Sequence, residues 1–181
     1  HSENIAHSHQ QRANFPRIAD QYAFRREAVL LFLQRSGVSP SMLDAVVGRG
    51  GLLRPLPSGT YRINDRMLDE LRHRPAKGRE HVVNLAASIA DGVAQEAGVP
   101  AFIVDPVCVD EFEPLARVSG LSEVERRSFS HALSLKSVAR RMARELGHRY
   151  EDLNLIIVHM GGGISVSAHR KGRMVDVNQA L

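Results

Sequence analysis

The feature that most constrains the fold is a glycine-interrupted apolar stretch, N-L-I-I-V-H-M-G-G-G-I-S-V-S-A-H at 154–169. Leu155 to Val158 form a short β-branched run that is typical of a buried strand. Apolar and polar residues then alternate from Ile164 to His169, which is the pattern of a half-buried strand. Because three glycines separate the two patterns, the stretch predicts two strands joined by a tight turn.

The glycines of this turn, Gly161, Gly162 and Gly163, have two interpretations. Glycine permits positive φ and lets a ligand approach the backbone closely. Successive N–H groups turned the same way also bind anions such as phosphate. The alternative is an ordinary hairpin turn, and both interpretations stay open from the residues alone. A Walker-type loop is excluded, because neither a Lys-Ser or Lys-Thr pair nor a helix pattern follows the glycines.

A second glycine-rich loop, Gly48-Arg49-Gly50-Gly51, follows a strand predicted at Leu43 to Val47. In α/β proteins, ligands bind beyond the carboxyl ends of the strands. The planar, permanently charged guanidinium of Arg49 can hold a carboxylate or a phosphoryl group through two hydrogen bonds. The loop therefore predicts an anion site, with a solvated loop arginine as the alternative.

Apolar residues at helical spacing predict helices at about 20–36 and 81–97, and Asn64 offers an N-cap for a short helix. Ser122 and Glu125 fit a capping box, which predicts another helix start. The apolar phase is lost around 128–131 and recovers from Leu135, so His131 is expected near a helix N-terminus. Anions are favoured there, although a structural histidine is the alternative.

Three further polar residues lie where ligands commonly bind. His81 opens the helix at 81–97 and Asn84 lies one turn later, so both side chains can face the same cleft. Asp105 follows a strand predicted at Ala101 to Val104. A carboxylate at the end of a strand can orient a metal or a substrate, but it also serves as a helix cap or turn former.

Charge and cysteine content narrow the class of protein. Lys and Arg number 24 against 20 Asp and Glu, a formal charge of +4. This mild excess suits anionic substrates and does not indicate nucleic acid by itself. No aromatic-interleaved basic strand appears either, so a nucleic-acid partner is not expected. No apolar run reaches transmembrane length, so a membrane partner is not expected. The single Cys108 excludes an internal disulfide, and a cytoplasmic location is expected.

Six motifs taken together resemble one family. They are A-V-V-G-R-G-G at 45–51, E-H-V-V-N-L at 80–85, F-I-V-D-P-V at 102–107, S-H-A-L at 130–133, H-M-G-G-G-I-S-V at 159–166 and G-R-M-V-D-V-N-Q-A-L at 172–181. Their content and order resemble the butyrate kinases, within the acetate kinase family of the actin, sugar kinase and Hsp70 superfamily. The resemblance implies an α/β chain of the two-domain, actin-like (ribonuclease H-like) fold. It implies most of a first domain at 1–105 and the beginning of a second at 106–181.

The resemblance also implies roles for residues on the substrate side. Arg49 matches the arginine that binds the substrate carboxylate and the transferring phosphoryl group. His81 and Asn84 match the histidine and asparagine of the neighbouring active-site wall. These three residues are therefore expected to bind substrate, and Arg49 is expected to be catalytic.

On the nucleotide side, Asp105 matches the aspartate associated with the magnesium site, and His131 matches the histidine that stabilises the transferring phosphoryl group. Both are expected to be catalytic. His159 with the three turn glycines matches the second phosphate-binding loop. Two departures from the family pattern are minor. Cys108 and Ser167 stand where we expect valine and glycine, and Ser167 lies beyond the three turn glycines.

The implied activity is reversible transfer of the ATP γ-phosphoryl group to butyrate or a related short-chain carboxylate. ATP/ADP and Mg²⁺ are the implied cofactors, and a homo-oligomer is expected. The family's opening N-P-G-S-T-S-T-K-like phosphate loop has no match, and its adenosine-binding part is expected beyond Leu181. The chain alone is thus expected to be inactive. The alternative is a non-catalytic nucleotide-binding module of the same superfamily, which would need neither Arg49 nor His131.

Overall fold

The computed structural model describes residues 1–73 and 81–180. The chain divides into two compact units. Unit 1 comprises His1–Leu53 and Thr60–Val104, and unit 2 comprises Arg54–Gly59 and Asp105–Leu181. Glu80 and Leu181, which belong to two of the motifs, lie outside the described residues. The assignment of 1–105 and 106–181 to two actin-like domains stays a prediction. No helix in the described part of the chain is long and apolar enough to cross a membrane.

Unit 1 contains a three-stranded sheet of order β1-β3-β2, formed by β1 (Val46–Gly48), β2 (Thr60–Arg62) and β3 (Ala101–Val104). β1 runs parallel to the central β3, and β2 runs antiparallel to it. The strand predicted at 43–47 begins only at Val46, because Val46 pairs with the first residue of β3. The strand predicted before Asp105 is confirmed.

The helices of unit 1 are α1 (His9–Ala13), α2 (Tyr22–Arg35), α3 (Asp65–His73) and α4 (Leu85–Ala97). The predicted helix at 20–36 is confirmed, and the one at 81–97 is confirmed with a 3-10 first turn at Val82–Asn84. The Asn64 side chain caps α3 by accepting the Met67 N–H at 2.9 Å. α4 supplies small buried residues to the core, among them Ala87, Ala90, Val93 and Ala94.

Unit 2 contains α5 (Ala132–Glu145) and an antiparallel sheet of order β4-β5-β6. Its strands are β4 (Asn154–Met160), β5 (Ile164–Arg170) and β6 (Arg173–Ala180). β4 and β5 form the predicted strand pair, joined at the three glycines. One face of the sheet contributes to a core with α5, formed by Val109, Phe112, Ala132, Leu135, Ala139, Ala143, Tyr150, Ile157, Met174 and Val177.

The alternation of polar and apolar residues along β5 is confirmed, and the buried face is the polar one. Ser165, Ser167 and His169 are 0%, 0% and 2% exposed, whereas Ile164 and Val166 are each 41% exposed. Burial is tolerated because these polar groups have partners. The Ser167 hydroxyl, for example, donates to the carbonyl oxygen of Ile157 on β4 at 3.1 Å.

The helix start predicted at Ser122 is wrong, because α5 begins ten residues later at Ala132. Arg126 holds this segment in an irregular conformation through tertiary contacts. Its N–H donates to the Arg117 carbonyl at 2.9 Å. Its guanidinium donates to the Ala116 carbonyl, the Asp176 carboxylate and the Val177 carbonyl. These bonds override a local capping signal, whose contribution is small by comparison.

Candidate functional site

The glycines of the Arg49 loop lie in a crowded backbone. A Cβ on Gly48 would lie 2.7 Å from the Ala86 carbonyl oxygen, and a Cβ on Gly51 would lie 2.5 Å from Leu71 Cδ2. Gly50 has φ of 87°, a conformation that glycine adopts without strain. Arg49 is exposed between them, and it has no hydrogen-bond or ion-pair partner among residues 1–73 and 81–180. The loop therefore presents a charged guanidinium from a closely packed backbone.

Asn84 supports this loop from the start of α4. Its side chain is buried, and its Oδ1 accepts the N–H of Leu52 at 2.8 Å. His81 is exposed, and its Nδ1 accepts the N–H of Val83 at 3.1 Å as the cap of the 3-10 turn. The structure thus brings Asn84 against the loop that carries Arg49 and uses one nitrogen of His81 locally. A shared role in binding substrate stays a prediction for both.

In unit 2, His131 and His159 form a stacked pair, with ring centroids 3.9 Å apart and an angle of 14° between the planes. His131 is the N-cap residue of α5, which confirms its predicted place near a helix N-terminus, and its Nδ1 lies 2.9 Å from Ser165 Oγ. His159 comes from β4, and its Nδ1 lies 3.1 Å from Ser134 Oγ. A serine hydroxyl therefore fixes the orientation of each ring.

The glycine turn lies beside His159 and is open. A Cβ on Gly161 would lie 3.4 Å from His159 Nε2, and a Cβ on Gly162 would meet nothing within 4 Å. The N–H of Gly161 donates to the Gly163 carbonyl at 3.1 Å. None of the three turn glycines has a positive φ, although the sequence suggested it. The glycines with positive φ lie at 37, 50, 98, 147 and 172. The turn glycines instead leave space next to an imidazole.

Asp105 is buried, and both oxygens of its carboxylate accept hydrogen bonds. Its Oδ1 accepts the Ser58 hydroxyl at 2.6 Å and the Gly59 N–H at 2.9 Å. Its Oδ2 accepts Arg140 Nη1 at 2.8 Å. Asp105 also has φ of 40°, which is uncommon for a residue with a side chain. All of these partners belong to unit 2.

One strand of the hairpin, β5, carries a buried histidine, His169. Burial, and then the charge of Lys136, lower the pKa of His169 to about 4. The Tyr150 hydroxyl is 2.5 Å from Nδ1, and Nε2 is 2.8 Å from the Ser167 hydroxyl. Because Ser167 donates its proton to Ile157, it accepts from Nε2–H, which leaves Nδ1 to accept from Tyr150. These bonds satisfy the neutral imidazole.

The sequence did not single out the serines that hold the histidine pair, nor Ser58 and Arg140. Ser134 lies three residues after His131, a helical spacing that brings the two residues to one side of α5. The pairing of Arg140 with Asp105 spans 35 residues and has no local signal. The convergence of Arg49, Asp105 and His131 on one phosphoryl group stays a prediction.

Residues 121–181 match the Acetokinase family. This segment contains the histidine pair, the glycine turn and all of the antiparallel sheet of unit 2.

Three solved structures are similar to most of the chain. An acetate kinase from Porphyromonas gingivalis is 20% identical, with a TM-score of 0.64, over 87% of this chain and 42% of that chain. An acetate kinase from Entamoeba histolytica is 15% identical, with a TM-score of 0.58, over 88% and 42%. A propionate kinase from Francisella tularensis subsp. tularensis SCHU S4 is 19% identical, with a TM-score of 0.59, over 85% and 41%.

These similarities establish the fold. The chain has the α/β fold of the acetate kinases, which is the actin-like ATPase fold, so the predicted fold class is confirmed. The chain covers only 42% of the length of the Porphyromonas gingivalis acetate kinase.

Proposed function

We propose that this chain serves in a short-chain carboxylate kinase, which transfers the γ-phosphoryl group of ATP to butyrate or a related acid. The observation that carries the proposal is the stacked His131–His159 pair beside an open glycine turn. This arrangement lies in the segment that matches the Acetokinase family. Acetate and propionate kinases among the similar structures act on acids of the same class.

The proposed reaction requires the protein to position the two substrates and to stabilise negative charge. A carboxylate oxygen attacks the γ-phosphorus, the bond to the β-phosphate oxygen breaks, and its electron pair leaves with ADP. No general base is needed, because the carboxylate is already ionised. The protein must bring two anions together and stabilise the charge on the equatorial phosphoryl oxygens.

Arg49 is suited to the acceptor side of this reaction. Its guanidinium is unpaired in the described part of the chain and can bind a carboxylate or phosphoryl group in bidentate fashion. Asn84 holds the loop that carries it. His81 is exposed at the start of α4, where it would line the acyl side of the site. One methylene of the acyl chain changes binding by only ~1–3 kcal/mol, so related acids would also be accepted.

His131 and His159 are suited to the phosphoryl side. Imidazole N–H groups whose orientation is fixed before substrate binds stabilise developing negative charge without reorganisation. The serine contacts to both rings provide that fixed orientation. The N–H groups of the turn at Gly161, Gly162 and Gly163 would bind the nucleotide phosphates. Mg²⁺ belongs to the proposal as part of the nucleotide substrate, because kinases bind it largely through phosphates.

A hydroxamate assay for acyl phosphate tests the proposal on the full-length protein, with ATP and butyrate, propionate or acetate as acceptor. We expect acyl phosphate to form. Arg49→Ala should lower kcat on the order of 10²-fold, the usual loss when a preorganised charge donor is removed. Arg72→Ala is the matched control, because Arg72 is an exposed arginine of the same unit, on α3.

Two outcomes would contradict the proposal. Near wild-type turnover by Arg49→Ala would make Arg49 a solvated loop arginine. ATP binding without acyl phosphate from any of the acids would favour the non-catalytic nucleotide-binding module. A cytoplasmic location and a homo-oligomer remain part of the proposal, and the oligomer is checked by sedimentation of the same preparation.

A further inference from the structure

The segment Arg54–Gly59 is bound by two carboxylates of unit 2, Asp105 and Glu111. The Ser58 hydroxyl donates to Asp105 at 2.6 Å, and the Ser58 N–H donates to Glu111 at 3.4 Å. The Gly59 N–H donates to Asp105 at 2.9 Å. The segment is therefore held by charge-assisted hydrogen bonds, which are stronger than neutral ones.

Each of these carboxylates is neutralised by a cation from α5. Arg140 Nη1 lies 2.8 Å from Asp105, and Lys136 Nζ lies 2.6 Å from Glu111. Lys136 and Arg140 are four residues apart, so they lie on the same side of the helix. The Asp105 side chain is 0% exposed and that of Lys136 is 1% exposed. The four side chains form a cluster with two positive and two negative charges.

Such a cluster leaves no room for a divalent cation at Asp105. Mg²⁺ needs carboxylate oxygens at about 2.0–2.1 Å and keeps several waters in an octahedral shell. Both oxygens of Asp105 already accept hydrogen bonds, and water has no access to the side chain. Within the described residues, no three side chains of His, Cys, Asp or Glu gather in a way that could hold a metal.

We infer that Asp105 is not a magnesium ligand and instead fixes the Arg54–Gly59 segment to α5, with Arg140 supplying the positive charge that a metal would otherwise bring. The positive φ of Asp105 agrees with this role. A strained backbone conformation persists where surrounding interactions over-determine it, and three donors converge on this carboxylate. The inference differs from the role implied by the resemblance, and it does not rest on the proposed function.

A Mn²⁺ titration followed by electron paramagnetic resonance tests the inference without nucleotide. The proteins are the wild-type chain, Asp105→Asn and the matched control Asp152→Asn, which removes an exposed carboxylate of the same unit. We expect any Mn²⁺ binding of the wild type to be unchanged in Asp105→Asn. The inference is overturned if the wild type binds Mn²⁺ more tightly than about 1 mM and Asp105→Asn, but not Asp152→Asn, loses that binding tenfold or more.

A double-mutant cycle tests the positive part of the inference, with urea unfolding midpoints of Asp105→Asn, Arg140→Gln and the double variant. We expect strongly non-additive shifts, with the double variant close to Asp105→Asn, and partial recovery in Arg140→Lys, which keeps the charge. Additive shifts would overturn the inference. If Asp105→Asn does not fold, the wild-type titration decides the first part, because binding of Mn²⁺ more tightly than about 1 mM overturns it and weaker binding supports it. Failure of the kinase proposal would appear only in the acyl phosphate assay, so the two outcomes are distinguishable.

Discussion

The two glycine-rich segments of this chain use glycine for opposite reasons. At 48–51, a Cβ on Gly48 would lie 2.7 Å from a backbone oxygen, so packing requires glycine there, and a Cβ on Gly51 would lie 2.5 Å from the end of the Leu71 side chain. At 161–163, a Cβ on Gly162 would meet nothing within 4 Å. Similar glycine-rich sequences therefore form a crowded loop in one unit and an open turn in the other. The open turn has room for a ligand beside the backbone of Gly162.

Gly48→Ala should give the largest loss of stability. The new methyl group would be forced against the Ala86 carbonyl, a backbone atom that cannot rotate away. We expect the free energy of unfolding to fall by about 3 kcal/mol, the upper part of the range for overpacking. Urea denaturation measures this. A loss below about 0.5 kcal/mol would show that the loop is not crowded and would remove the contrast between the two segments.

Acid should destabilise the folded protein through the buried His169 of β5. Burial lowers the pKa of His169 from its ordinary value of 6.5 to about 4 in the folded protein. Between pH 6.5 and pH 4 this histidine is protonated in the unfolded chain and neutral in the folded chain. The free energy of unfolding therefore has its full value above pH 6.5 and falls as the pH approaches 4. At pH 5 the expected loss is about 2 kcal/mol relative to pH 7.

The check is the free energy of unfolding from pH 7 to pH 4.5, with His169→Gln as the control. The variant should show a flatter profile. Burial also lowers the pKa of His7 in unit 1, with smaller contributions from Arg25 and Arg12. The pH dependence of the free energy of unfolding that remains in His169→Gln therefore includes the contribution of His7. Equal slopes in the two proteins would mean that His169 is not kept neutral by the fold.

Asn84→Ala should weaken the crowded loop specifically. It leaves the partly buried Leu52 N–H without its acceptor, which costs about 1–3 kcal/mol. Hydrogen exchange at the Leu52 amide should accelerate, while amides of the 161–163 turn should not change. Asn84→Asp keeps an acceptor at the same place and should recover part of the protection. Unchanged exchange at Leu52 would contradict the supporting role of Asn84.

Gly162→Ala should have the smallest effect on stability and so sharpens the contrast most directly. Since its Cβ would point into open space, we expect a change within about 0.5 kcal/mol in the free energy of unfolding. Under the proposed function, the methyl group would occupy space needed by phosphate, and ATP affinity measured by calorimetry should fall. A loss of stability as large as that of Gly48→Ala would show that this turn is also crowded.

Local signals in the sequence predicted most of the elements. The helices predicted at about 20–36 and 81–97 are followed in the structure by Gly37 and Gly98, whose φ angles are 67° and 71°, a conformation that glycine adopts easily. The hairpin of β4 and β5 and the position of His131 near a helix N-terminus were also predicted from local signals. The capping signal at Ser122 failed because the contacts of Arg126 come from residues as distant as Asp176.

The sequence by itself determined where strands and helices form and which residues alternate along β5, because spacing and turn chemistry act over a few residues. Only the tertiary structure decided which face of β5 is buried, since a period of two defines two faces without choosing between them. It also decided that Asp105 pairs with Arg140 and that His131 stacks on His159. Those contacts depend on packing between segments far apart in the chain, and no local pattern encodes them.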